Sequence, residues 1–204
     1  MNIVLKNILL LQSGINRVAS WDFLATLPLR VYLAAVFWTV GMHKLNGFSD
    51  TVAWFGNPDW GLGMPFPTLM ASLATAAELG GAVLLLLGLA TRWATIPLMF
   101  TMAVAAISVH WQNGWQAVHD LMSPWANEHA AGALERLERA KEILPEHGNY
   151  AWLTEHGNFV VSNNGIEWAA TYFLMLLALF MIGGGRYFSV DYWLKKRFMS
   201  DKSL

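Results

Sequence analysis

Apolar residues run along this chain in long blocks broken by short polar stretches, a helical pattern rather than an alternating one. Val4, Ile8, Leu11, Ile15 and Val18 recur at spacings of four and three, with Lys6, Asn7, Asn16 and Arg17 largely off that stripe. Residues 1–22 are therefore expected to form an amphipathic helix in a membrane interface. No small-residue cleavage site follows the short apolar run, so a signal peptide is not expected.

Four longer blocks follow, over residues 24–42, 67–90, 93–109 and 166–182. Each is near the roughly 20 residues a helix needs to cross hydrocarbon. Only Ala90, Thr91 and Arg92 join the second block to the third, which predicts a tight antiparallel hairpin. Gly183–Gly185 ends the fourth. The expected fold class is all-α, an integral membrane four-helix bundle. It divides into the interfacial helix 1–22, a transmembrane domain over 23–193 with an insert at 112–165, and a basic tail over 194–204.

Orientation follows from the basic residues. With four crossings, Lys6, Arg17, Arg92, Arg186 and the tail all fall on one side. The other side holds Lys44 and the acid-rich 112–164 connection. Both termini are expected in the cytoplasm and the insert outside, in a bacterial inner membrane. Trp21, Trp93 and Trp193 then mark the inner boundary, and Trp54, Trp60, Trp111 and Trp168 the outer.

Two connections carry further expectations. The stretch from Asn46 to Pro67, rich in Trp, Phe, Gly and Pro, reads as irregular backbone resting on the outer interface, either a flap or a lid. "NEHAAGALERLERAKEIL" reads as a helix stopped by Pro145, with Leu134, Leu137, Lys141 and Leu144 on one face and Glu135–Arg139 as an i,i+4 pair. It is either a solvated cap or a docking surface for an outer partner.

Composition supports the membrane reading. Charged residues make up only 13% of the 204, about half the usual share of a soluble domain, and the mean hydropathy is +0.38. The formal net charge of -1 gives no electrostatic reason to expect nucleic acid. There is no cysteine, which removes Cys-ligated iron–sulfur clusters, thiol relays and disulfides.

Charged groups at bilayer depth are costly and call for a partner or a role. Arg30 and Glu78 are the two clear cases, with His43, Lys44, His110 and Glu167 grouped near the outer boundary. Ala71, Ala74, Thr75, Glu78, Gly81, Ala82 and Leu85 share one helix face, so Glu78 points at a neighbouring helix. Depth along the spans suggests an Arg30–Glu78 pair, about 9 Å apart in height. The alternative is a polar cluster of Arg30, Glu78, Lys44 and Glu167 that handles a proton or ligand. Met42, His43, Met64 and His110 could converge on a soft cation such as Cu(I), whereas haem is not expected. No Ser-His-Asp arrangement, phosphate loop or paired catalytic carboxylates is present.

Together, "LRVYLAAVFWTVGMHKLNGF", "AELGGAVLLLLGLATRWATIPL" and "GIEWAATYFLMLLALFMIGGGRYFSVD" resemble the DoxX-like family of small four-helix membrane proteins. The matching positions are Arg30, Gly41, Lys44, Glu78, Gly80, Gly81, Gly88, Thr91, Arg92, Glu167, Gly183, Gly185, Arg186, Ser189 and Asp191, within residues 24–193. The resemblance implies a redox-associated protein, because the family is named for a subunit of a membrane thiosulfate:quinone oxidoreductase. "HKLNGF" and "WFGNPDWGLGMPFP" look like a bacterial subgroup that accompanies maturation of small copper-binding ribosomal peptides. The long insert departs from the family pattern.

Two functions stay open. One is an accessory subunit of a redox system with a quinone as candidate cofactor, drawing on Arg30, Glu78, Lys44 and His110. The other is a non-catalytic membrane partner in copper-peptide maturation, export or metal homeostasis. Lipids, a protein partner from either pathway and a second copy of the chain are the expected neighbours.

Overall fold

The computed structural model describes residues 12–13 and 21–199. Helix α1 spans Phe23–Asn46, α2 Phe48–Gly56, α3 Pro67–Leu87 and α4 Thr91–Val104. A π-helical turn at Ala105–His110 and a 3₁₀ turn at Trp111–Asn113 continue α4. Then come α5 (Glu128–His147), α6 (Tyr150–Leu153), α7 (Glu167–Ile182) and α8 (Val190–Phe198). Among the described residues there is no strand, only an isolated antiparallel bridge between Val118 and Ser162. The protein is an all-α membrane protein. Three helical stretches, 23–46, 67–87 and 91–113, are long and apolar enough to cross a bilayer, and α7 is a shorter apolar helix.

The interfacial helix expected over 1–22 falls outside the described residues, apart from Gln12, Ser13, Trp21 and Asp22. Three expectations need correction. The stretch after Asn46 is not irregular throughout, because residues 48–56 form α2, which packs against α3 with Phe55 buried. Only 57–66 is turn-like, held where Asn57 Oδ1 accepts the N–H groups of Asp59 and Trp60. Within the basic tail expected over 194–204, Leu194 to Phe198 complete α8. Pro145 does not stop α5, which runs on to His147. So near the helix end, the missing proline N–H removes a single bond of the ladder. On the same helix Arg139 pairs with Glu142 at 2.8 Å, one turn on, rather than with Glu135.

The chain forms two compact units. The first comprises 1–101 with 173–204, and the second 102–172.

In the first unit α1 packs along α3, and the α3 face read from sequence is the buried one. Ala71, Thr75, Glu78, Gly81, Ala82 and Leu85 are all buried there. Small residues make the approach possible. A Cβ on Gly41 would sit 2.8 Å from Leu79 Cδ2, and one on Gly81 would sit 2.7 Å from Leu98 Cδ1 on α4. The outward-facing Leu69, Leu73, Leu86, Trp93 and Phe100 are exposed, as expected of side chains that meet lipid. The α3–α4 hairpin turns at Gly88, whose left-handed φ of 63° lets its own N–H reach Leu85 O and the Leu89 N–H reach Leu84 O. That is the glycine-terminated helix end.

The second unit is built from loop segments clasped around α5. Ile166 and Glu167 N–H donate to the Gly114 and Trp115 carbonyls at 3.0 and 2.9 Å. Glu167 Oε2 accepts the Ala117 N–H at 2.9 Å. Asn163 donates to the carbonyls of Asn113 and Gln116. Asn127 caps the start of α5 through the His129 N–H.

Candidate functional site

The first unit holds two polar constellations, both laid across α1. At one, Lys44 Nζ donates to both carboxylate oxygens of Glu78, at 2.6 and 2.7 Å. The Glu78 side chain is 2% exposed and that of Lys44 22%, so the acid is sealed while part of the lysine side chain stays open. Gly41 sits level with this pair, since a Cβ there would lie 3.3 Å from Glu78 Cβ. Lys44 is one turn further along α1. Helical side chains lean toward the helix N-terminus, so Lys44 folds back over Gly41 onto the carboxylate.

The Arg30–Glu78 pair expected from depth does not form, and the same lean explains why. Arg30 lies eleven residues before Gly41, about 16 Å along the axis, and its side chain leans further away still. It is fully buried at the other end of α1. There its guanidinium donates to the carbonyls of Gly184 and of Phe188 (2.8 Å), with a longer contact to Leu86 O at 3.4 Å. Gly184 and Phe188 follow the end of α7 and Leu86 lies in the last turn of α3, where backbone acceptors lack helical partners.

The remaining motif residues interlock around this arginine. Asp191 accepts the Ala90 and Thr91 N–H groups at 2.7 and 2.9 Å, and its own N–H donates to Gly88 O. A carboxylate on free N–H groups at a helix start is favourable electrostatically. Ser189 donates to Gly185 O at 2.6 Å and accepts the Tyr192 N–H, capping α8. Arg92 donates to Met181 O at 3.0 Å. The Arg186 N–H reaches Asp22 Oδ1 at 3.0 Å. A Cβ on Gly88 would collide with Arg30 Nη1 and Ser189 Cβ. Residues 86–91 and 184–191 thus fold onto Arg30 as a polar latch.

The other sequence candidates make different contacts. Glu167 belongs to the second unit, bonded to the Ala117 N–H rather than to Arg30, Lys44 or Glu78. His110 Nδ1 is 2.8 Å from Asn164 O, also in the second unit. His43 is exposed at the end of α1, beside the half-buried Met42, and Met64 is half-buried in the 57–66 turn. Among the described residues no three His, Cys, Asp or Glu side chains gather in a way that could hold a metal ion. Sequence reasoning missed Lys44 as the partner of Glu78, although the lean of helical side chains carried that signal. It also missed that Arg30, Gly88, Ser189 and Asp191 belong to one site.

Comparison with known proteins accounts for this pattern. A family model described as DoxX matches residues 25–111, which include Arg30, Gly41, Lys44, Glu78, Gly81, Gly88 and Arg92. The chain is 31% identical over 129 residues to the inner membrane protein YphA of Escherichia coli (strain K12), covering 58% of this chain and 87% of that protein. The chain belongs to the DoxX family. It is also 36% identical over 86 residues to the Bacillus subtilis (strain 168) protein named "Putative oxidoreductase CatD", covering 42% of this chain and 60% of that one. No solved structure matches. The DoxX match contains the whole Lys44–Glu78 site and stops before the insert and before Arg186, Ser189 and Asp191.

Proposed function

We propose that this DoxX protein is a four-pass inner-membrane accessory subunit of a redox system, holding a quinone-type carbonyl ligand beside Lys44. The observation that carries the reading is the Lys44–Glu78 pair, in which the carboxylate is buried and the Lys44 side chain is partly exposed. Lys has three N–H donors and Glu78 takes two. A ligand carbonyl is suited to the third, and the sealed carboxylate fixes where it points.

Of the four groups available to such a ligand, the geometry favours one. Arg30 is committed to backbone carbonyls and His110 contacts Asn164 O. A bound quinone supplies two-electron, two-proton chemistry, while this chain supplies a placed donor and a buried acid. With no cysteine in the sequence, electrons come from a partner protein. The name of the Bacillus subtilis relative agrees with a redox setting, and that of the Escherichia coli relative with the inner membrane.

The same reading places α1, α3, the α4 stretch and α7 across the membrane, both termini in the cytoplasm and the insert outside. The basic residues Arg92, Arg186, Lys195, Lys196 and Arg197 on one side support this orientation.

The test is to release the protein from quinone-replete membranes in polymer-bounded native discs and measure quinone per chain. Enrichment over discs holding an unrelated four-helix protein supports the reading. Quinone at the level of bulk lipid contradicts it.

A further inference from the structure

The second unit contains a cavity that the quinone reading does not use. It has a volume of about 230 Å³, with His119, Leu121, Ala130, Ala133, Leu134 and Val160 in its lining. Three separate chain segments meet there, and each is braced. His119 N–H donates to Val161 O, beside the Val118–Ser162 bridge. The Gln116 side chain donates to Asp120 O at 2.7 Å. Ala130 and Ala133, the inward face of α5, are 1% and 2% exposed, and their small side chains leave the space open.

The rim and the floor differ in chemistry. Leu121, Leu134 and Val160 are exposed apolar side chains around the mouth. Inside, His119 Nδ1 is buried and has no hydrogen-bond partner. Such an atom is costly to leave without a partner. The charged neighbours that act on the His119 ring are His129 and Arg136, both cationic when protonated, and with burial they hold its pKa below the ordinary value. The acid at the wall, Asp120, is turned to its own loop and accepts the Met122 N–H at 2.8 Å.

We propose that this cavity is a binding site for a small carboxylic acid with an aromatic or branched apolar body. The apolar body fills the space over Ala130 and Ala133. The carboxylate accepts from the Nδ1–H tautomer of His119, in the field of Arg136 and His129. The volume is small for a ligand pocket, which limits the ligand to roughly the size of one large side chain.

The experiment uses the full chain in lipid nanodiscs, with phenylacetate and its neutral isostere phenylacetamide as probes, followed by titration calorimetry and saturation-transfer NMR. Phenylacetate should bind saturably and about tenfold more tightly than phenylacetamide, the margin expected of a charge-assisted hydrogen bond. Ala133→Phe should abolish binding by filling the cavity. Arg136→Gln, at an exposed position, should weaken phenylacetate while leaving phenylacetamide unchanged, and Val160→Asp, at the mouth, should weaken phenylacetate more than phenylacetamide. Equal affinity for the two probes, no saturable binding, or phenylacetate binding indifferent to Arg136→Gln and Val160→Asp would overturn the proposal.

Discussion

Lys44 and Glu78 meet across the α1–α3 interface with the amine 2.6 and 2.7 Å from the two carboxylate oxygens, at the level where Gly41 brings the helices together. The acid is sealed and the base is not. The proposed ligand site beside Lys44 rests on this asymmetry.

Removing one partner alone leaves the other charge without its counter-ion. Lys44→Met or Glu78→Ala should lower stability by about 3 kcal/mol, whereas Lys44→Met combined with Glu78→Gln should recover much of the loss. A double-mutant cycle in mixed micelles measures the coupling. Arg30 with Glu78 should give additive losses in the same assay, because their side chains do not meet.

Arg30 binds carbonyls in a fixed fork that lysine cannot reproduce. Arg30→Lys should therefore destabilise the chain by about 2 kcal/mol or more, despite keeping the charge. Gly88→Ala should do comparable harm. Its φ of 63° strains an alanine, and the added methyl runs into Arg30 and Ser189. Thermal unfolding of the detergent-solubilised protein checks both.

Asp191→Asn keeps the shape of the side chain but replaces one acceptor oxygen by a donor and removes the charge. It should cost about 1–2 kcal/mol. Protease nicking should then rise first near residues 88–91 and 184–191, where the latch opens. Limited proteolysis followed by mass spectrometry reads this out.

The His119 ring should titrate below the ordinary 6.5 in an NMR pH series, from burial first and then from His129 and Arg136. An imidazole with a depressed folded-state pKa is neutral in both states above the unfolded value. As pH falls below about 6.5 the unfolded chain takes up the proton first, so the stability of the insert falls until pH passes the folded value. His119→Gln should flatten that dependence.

Much of the first unit was legible in the sequence because it rests on helical periodicity. The buried face of α3 was read from Ala71, Thr75, Glu78, Gly81, Ala82 and Leu85. The partner of Glu78 was not, because Cα depth along the spans points to Arg30 while side-chain lean decides which group arrives. The latch was visible only as scattered motif residues. No local pattern announces that Ser189 and Asp191 return to Gly88 and Thr91, about a hundred residues earlier. In the second unit α5 was legible from the spacing of Leu134, Leu137 and Leu144. The braces from Gln116, Asn163 and Glu167 have no period, so the walls of its cavity had no sequence signature.

The most direct measurement of the central claim is quinone content per chain in native discs for three proteins: wild type, Lys44→Met with Glu78→Gln, and Asp191→Asn. The account predicts that quinone is lost from the Lys44/Glu78 variant, whose fold is retained, and kept by Asp191→Asn, whose defect lies in the latch. Unchanged quinone in the folded Lys44/Glu78 variant would contradict it.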